Sequence, residues 1–186
     1  MLESCANWRE RPILVVGAPR SGTSLVAGIL DACGARGGAL RPANKHNVKG
    51  MFENNTMIET INKQVLRAAN CDPLGQLDFP VADSPRIMQS VDFVRQTALA
   101  VADRHRMTVG AGGRSQWYFK DAKTTLLWRV WAQAFPLARW VVVIRDRRDV
   151  ARSCLRTGFM RDSVDFEGWL EMVNAYHQRC RDIVSS

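Results

Sequence analysis

The run Ile13-Leu14-Val15-Val16 leads directly into Gly17-Ala18-Pro19-Arg20-Ser21-Gly22-Thr23-Ser24, and this junction restricts the fold more than any other part of the chain. A short, unbroken apolar run rich in β-branched residues suits a strand buried on both faces, the usual state of a central parallel strand. The Gly-x-x-x-x-Gly turn follows at once, and residues Ser24 to Cys33 have helical character. Strand, glycine turn and helix start in that order make a phosphate-binding loop. The glycines let the backbone curl so that successive N–H groups point inward, and the positive end of the helix adds to their pull on an anion.

In nucleotide triphosphatases the second glycine of such a loop is followed by Lys and then Ser or Thr. Here Gly22 is followed by Thr23, and the positive charge stands two residues before the glycine, at Arg20. The loop is therefore equipped to grip a phosphate but lacks the lysine that reaches a triphosphate, which counts against an ordinary ATPase or GTPase.

A second apolar run, Trp140-Val141-Val142-Val143-Ile144, also reads as a buried parallel strand, and Arg148 to Arg156 after it reads as a helix. Further helices are expected at Asn55 to Ala69, Ile87 to Arg104, Thr124 to Phe135 and Phe166 to Ile183, with a third short strand at Trp117-Tyr118-Phe119. Strands alternating with helices predict an α/β fold of P-loop type, three layers (α/β/α) around a mainly parallel sheet. Asp72 to Arg86, with its three prolines, reads as a surface connection or a lid. Met107 to Gln116, with Gly110, Gly112 and Gly113, reads as an ordinary turn or mobile loop.

At 186 residues and 46% apolar content, one domain spanning 1–186 accounts for the length. No eighteen apolar residues run together and the first ten lack the order of a signal peptide, so a cytoplasmic protein with no membrane span is expected. The five cysteines are scattered, show no metal-ligand spacing and read as buried reduced thiols. A formal charge of +8 attracts anions without choosing among nucleic acid, a membrane surface and a phosphorylated small molecule. The basic run Arg139 to Arg156 lacks interleaved aromatics, so nucleic-acid binding is not expected.

Ala18-Pro19-Arg20-Ser21-Gly22-Thr23-Ser24 after a buried strand resembles the 5′-phosphosulfate loop of sulfotransferases that use 3′-phosphoadenosine-5′-phosphosulfate (PAPS). The second strand ends in Arg145, and Ser153 follows eight residues later on the next helix. That resembles the family's 3′-phosphate motif, in which this Arg and this Ser grip the phosphate. Independently of the name, a guanidinium at the carboxyl end of a parallel strand lies where such sheets bind ligands and suits a phosphate bidentately. Asn47 to Asn54, and Tyr118-Phe119-Lys120-Asp121-Ala122-Lys123, also look like bacterial members, although relatives often read Lys-Asp-Pro-Arg where Ala122 and Lys123 depart. The resemblance covers residues 12 to 156.

The resemblance implies transfer of a sulfuryl group from PAPS to a hydroxyl or amine acceptor, leaving the bisphosphate PAP and needing no metal. Arg20 would neutralise the leaving 5′-phosphate, with the backbone amides from Ser21 through Gly22 to Ser24 and the hydroxyls of Thr23 and Ser24 holding the same group. Lys120 would reach the sulfuryl oxygens or instead form an ion pair with Asp121 or a neighbour. Glu53 is the first choice of general base, with an N-cap or surface role as its alternative and His46 as competitor. His105 and His177 read as surface or capping residues. Trp117, Trp128, Trp131 and Trp140 read as core, with adenine stacking as the alternative. Relatives continue past the second motif with another strand, so an incomplete cofactor site is an expectation for this chain. A truncated or non-catalytic P-loop nucleotide-binding protein and a P-loop small-molecule kinase are the alternative functions. The acceptor, whether carbohydrate, lipid, phenol or peptide, and the oligomeric state have no signature in the sequence.

Overall fold

A computed structural model describes residues 8–44, 47–110 and 113–186. Three parallel strands form the central sheet in the order β4-β1-β5: β1 is Ile13–Gly17, β4 is Tyr118–Lys120 and β5 is Arg139–Val143. The register sets Val15 beside Lys120, and Gly17 beside Val143. The carboxyl ends of all three strands therefore open on one side. β1 in the middle has Leu14, Val15 and Val16 fully buried, as the continuous apolar run requires. The third strand starts one residue later than its pattern suggests, because Trp117 forms an isolated bridge with Arg36.

Helix α1 (Thr23–Ala32) packs on one face of the sheet, where Ala27 joins Tyr118 and Ile13. On the other face Leu14 and Phe119 pack among a run of three segments, α2 (Asn55–Met57), a π-helical turn (Ile58–Asn62) and α3 (Lys63–Ala68). Beyond α4 (Pro85–Met88), α5 (Val91–Arg104) contributes Val94, Ala98 and Val101 to the same core. The layers are those of a P-loop-like α/β/α fold, around a small, wholly parallel sheet.

The helix expected over Thr124 to Phe135 is two: α6 (Ala122–Leu126) and α7 (Trp128–Ala134), broken at Leu127. Both threonines of α6 bond to distant partners. Thr125 takes the Gly17 N–H at 2.9 Å, and Thr124 takes an amide proton of Asn62 at 3.0 Å. Helices α8 (Arg147–Leu155) and α9 (Phe166–Ser185) complete the chain and share a core of Val150, Cys154, Trp169 and Tyr176.

The glycine-bearing stretch after Met107 is a small antiparallel hairpin, β2 (Val109–Gly110) with β3 (Gly113–Arg114). The Pro-bearing stretch after Cys71 is well anchored at its start. Asp72 accepts from the N–H groups of Leu74, Gln76 and Leu77 and from Arg161 at 2.9 Å, and Tyr176 donates to the Gly75 carbonyl at 2.7 Å. Burial would raise the Asp72 carboxyl, but these hydrogen bonds hold it below its ordinary value. Of the cysteines, Cys154 and Cys180 are buried as expected, Cys71 is half-buried and Cys33 is exposed at the end of α1. Cys33 corrects the buried reading, and Cys5 lies outside the described residues. No helix among the described residues is long and apolar enough to cross a membrane.

Candidate functional site

The loop after β1 winds through three residues of positive φ, Gly17 (151°), Arg20 (68°) and Gly22 (102°). At Gly17 a side chain would meet the Val143 carbonyl, with Ser21 Oγ at 2.9 Å and Thr23 Cγ2 at 3.2 Å, so only glycine passes between β1 and β5 here. Thr125 clamps the same residue: its hydroxyl receives the Gly17 N–H at 2.9 Å and donates to the Gly17 carbonyl at 3.3 Å. Gly22 is the N-cap of α1 and supplies no capping side chain. The first N–H groups of a helix have no carbonyl one turn back, and no side chain among the described residues caps α1. The Ser21 N–H is different, closing a turn on the Ala18 carbonyl at 3.2 Å. The Ser21 amide thus already has a carbonyl partner within the loop. Ser21 Oγ is buried and has no hydrogen-bond partner.

The loop forms the floor of a cavity of about 740 Å³. Among the described residues six cations line it, Arg20, Arg41, Lys63, Lys120, Lys123 and Arg145, against two carboxylates, Glu53 and Asp121. Such an excess of one sign in a walled cleft favours an anionic ligand. Each strand of the sheet contributes one of these cations at or just past its carboxyl end: Arg20 after β1, Lys120 closing β4 and Arg145 after β5.

Lys120 is 5% exposed and uses its ammonium fully, on Glu53 Oε1 at 2.6 Å, Ser24 Oγ at 3.1 Å and the Met51 carbonyl at 3.4 Å. Its carboxylate partner is thus Glu53 and not Asp121, which pairs with Lys123 at 2.9 Å. Burial alone would raise the Asp121 carboxyl, but Lys123, a 2.7 Å hydrogen bond from Asn62 and the nearby Lys120 hold it low. Glu53 divides its carboxylate, Oε1 to Lys120 and Oε2 to Arg41 at 3.5 Å. The N-cap of α2 is its neighbour, Asn54, so the capping alternative for Glu53 is corrected.

Arg20 stands over the Phe159 ring, 5.7 Å from its centroid, and its Nε donates to Ser153 Oγ at 3.2 Å. Burial lowers its pKa from the ordinary value; Cys154 opposes that and Arg145 adds to it. Arg145 is held loosely, with Nη2 3.9 Å from Asp149 and Nη1 donating to the Arg20 carbonyl at 3.5 Å, and about half its side chain is exposed. Loop and strand motif, distant in sequence, therefore meet twice, through Arg20 with Ser153 and Arg145 with Arg20.

The structure thus gathers Arg20, Thr23, Ser24, Glu53, Lys120 and Arg145 around one cavity, with Ser153 touching it through Arg20. His46, the competitor of Glu53, lies outside the described residues. His105 caps α5, with Nδ1 3.0 Å from the Asn54 side-chain amide nitrogen, and His177 lies on α9. None of the four candidate tryptophans lines the cavity; Trp117 and Trp131 are fully buried in the main core. Arg41, Lys63, Lys123 and Phe159 are cavity residues that sequence reasoning passed over. Lys123 had a signal, as a departure within a recognised segment, and Arg41 lies, without a mark of its own, in the loop from Arg36 to Asn47 that reads as facing the acceptor. Among known proteins, residues 12–185 match the model of the sulfotransferase family, so the likeness runs on through α9. No curated protein matches the chain.

Proposed function

The chain belongs to the sulfotransferase family, and from that premise we propose that it binds PAPS in this cavity and passes its sulfuryl group to a hydroxyl or amine acceptor. The observation that carries this reading is the delivery of one cation from each parallel strand to a single cavity floored by an uncapped phosphate loop. Two such grips, at the β1 and β5 ends, suit a nucleotide bearing phosphate on both its 5′ and 3′ positions. The open space at Gly22, which lines the cavity, agrees with an anion seated on the loop, whereas the buried Ser21 hydroxyl lies behind it against Gly17. PAPS, when bound, supplies an activated sulfuryl group on a phosphate leaving group.

In this reading the α1 amides, the Thr23 and Ser24 hydroxyls and Arg20 hold the 5′-phosphate, and Arg145 with Ser153 hold the 3′-phosphate. Preorganised donors of this kind act where charge develops and need no rearrangement during reaction. Lys120, fixed by three partners, points the Ser24 hydroxyl and orients Glu53. Glu53 receives the acceptor's proton. The test is transfer of radiolabelled sulfur from PAPS to a panel of phenolic, sugar and peptide hydroxyls. Labelled product from the wild type, reduced about 100-fold or more in Glu53→Gln, is expected. Undiminished transfer by that variant would remove Glu53 from the chemistry.

A further inference from the structure

Matching each cavity cation to its nearest carboxylate leaves Arg20, Arg145 and Arg41 without a close partner among the described residues. Lys120 has Glu53 at 2.6 Å, Lys123 has Asp121 at 2.9 Å and Lys63 has Glu59 at 2.7 Å. Arg20 and Arg145 stand at the two phosphate grips. Arg41 remains. It meets only the second oxygen of a carboxylate already claimed by Lys120, at 3.5 Å, and 46% of its side chain is exposed. No other carboxylate among the described residues lies within 4 Å of it. Its backbone is nevertheless fixed beside Glu53, since the Arg41 N–H donates to the Glu53 carbonyl at 2.8 Å and Leu40 bridges Asn54. A guanidinium held in place by its backbone, facing a cavity and only weakly paired, is suited to a planar or tetrahedral anion.

We infer that Arg41 is the specificity-determining residue on the acceptor side, and that it selects acceptors carrying a carboxylate or sulfate within one ring of the hydroxyl to be modified. This rests on the reading above that Glu53 faces the acceptor. The acceptor's anion takes Arg41 away from Glu53 Oε2, and that oxygen then accepts the acceptor's hydroxyl hydrogen bond while Oε1 stays on Lys120. Recognition of the charge and readiness of the base are thereby one event. A neutral acceptor leaves Arg41 on Glu53 and meets a carboxylate with both oxygens engaged.

The test is calorimetric titration with two matched pairs, methyl glucuronide against methyl glucoside and 4-hydroxyphenylacetate against 4-ethylphenol, with and without saturating PAP. A sulfated arm, methyl glucoside 6-sulfate, separates a carboxylate preference from a general anion preference. In the wild type the anionic member of at least one pair binds about tenfold or more tightly than its neutral partner, the scale of one charge-assisted contact. Arg41→Gln abolishes that ratio and Arg41→Lys restores part of it. Equal binding within both pairs, or a preference that survives Arg41→Gln, overturns the inference. Failure of PAP itself to bind overturns the donor reading instead, and the arm without PAP still reports on Arg41.

Discussion

Two of the three strand-to-helix junctions of the sheet, those after β1 and β5, solve the same problem in opposite ways. Between β1 and α1 the cap position is a glycine, no side chain among the described residues caps the helix, and the loop is pinned from behind by Thr125. Between β5 and α8 the helix start is already closed by its own residue, because the Asp146 carboxylate accepts from the N–H groups of Arg148 and Asp149 at 2.9 and 3.1 Å. The first junction can therefore offer backbone to an anion, as uncapped helix starts do. The second has only side chains to offer, Arg145 and Ser153. A backbone site is fixed when the protein folds, whereas a half-exposed arginine keeps much of its side-chain freedom in the folded protein.

The largest effect is expected at the first junction. Gly17→Ala places a methyl against the Val143 carbonyl and Ser21 Oγ, at a φ of 151°. Strain and overpacking together should cost about 3 kcal/mol of stability, read by urea denaturation, with PAP binding lost. Unchanged stability would mean the loop is not wedged between the strands. Lys120→Ala comes next, since it leaves the Glu53 carboxylate without its closest cation in a largely buried setting. A loss of about 3 kcal/mol is expected from breaking such a pair, and a double variant with Glu53→Gln should recover part of it.

Arg145→Ala at the second junction should separate binding from folding. Stability should change by less than about 0.5 kcal/mol, because its ion pair with Asp149 is exposed and long. PAP affinity should fall about tenfold or more, to the level of adenosine 5′-monophosphate, as one charge-assisted contact to phosphate disappears. An Arg145→Ala protein that still prefers PAP over the monophosphate would take the 3′-phosphate away from β5.

The smallest effect belongs to Asp146. Its hydrogen bonds to the Asp149 and Arg148 amides hold its pKa below the ordinary value. A carboxyl depressed by folding contributes stability that is complete above its unfolded value, about 3.9, and that is lost as pH falls through the folded value. Thermal melts should therefore show Asp146→Ala slightly less stable than wild type at pH 7, with the gap closing below about pH 3.9. A gap that widens on acidification would contradict the capping role.

Both junctions were legible in the sequence because each is local: an apolar run, a turn and a helix start within a dozen residues. Lys120 and Glu53 were legible as positions but not as a pair, since they lie 67 residues apart and only packing of β4 against the segment before α2 joins them. The same reason hid Thr125, whose clamp on Gly17 spans 108 residues, and Arg41, which looks like any loop arginine until Glu53 is seen beside it. The break at Leu127 was hidden because no glycine or proline marks it between Ala122 and Phe135; tertiary bonds from Thr124 and Thr125 accompany it. Cys33 was expected inside because cysteine usually is, and its place at the open end of α1 overrides the tendency.

The central claim is that one cavity takes a nucleotide phosphorylated at two places, gripped at both junctions. Calorimetric titration of the wild type with PAP and, separately, with magnesium ATP tests it most directly. Tight PAP binding without comparable ATP binding is the predicted result. ATP binding with no PAP binding would contradict it and make the phosphate loop that of a kinase.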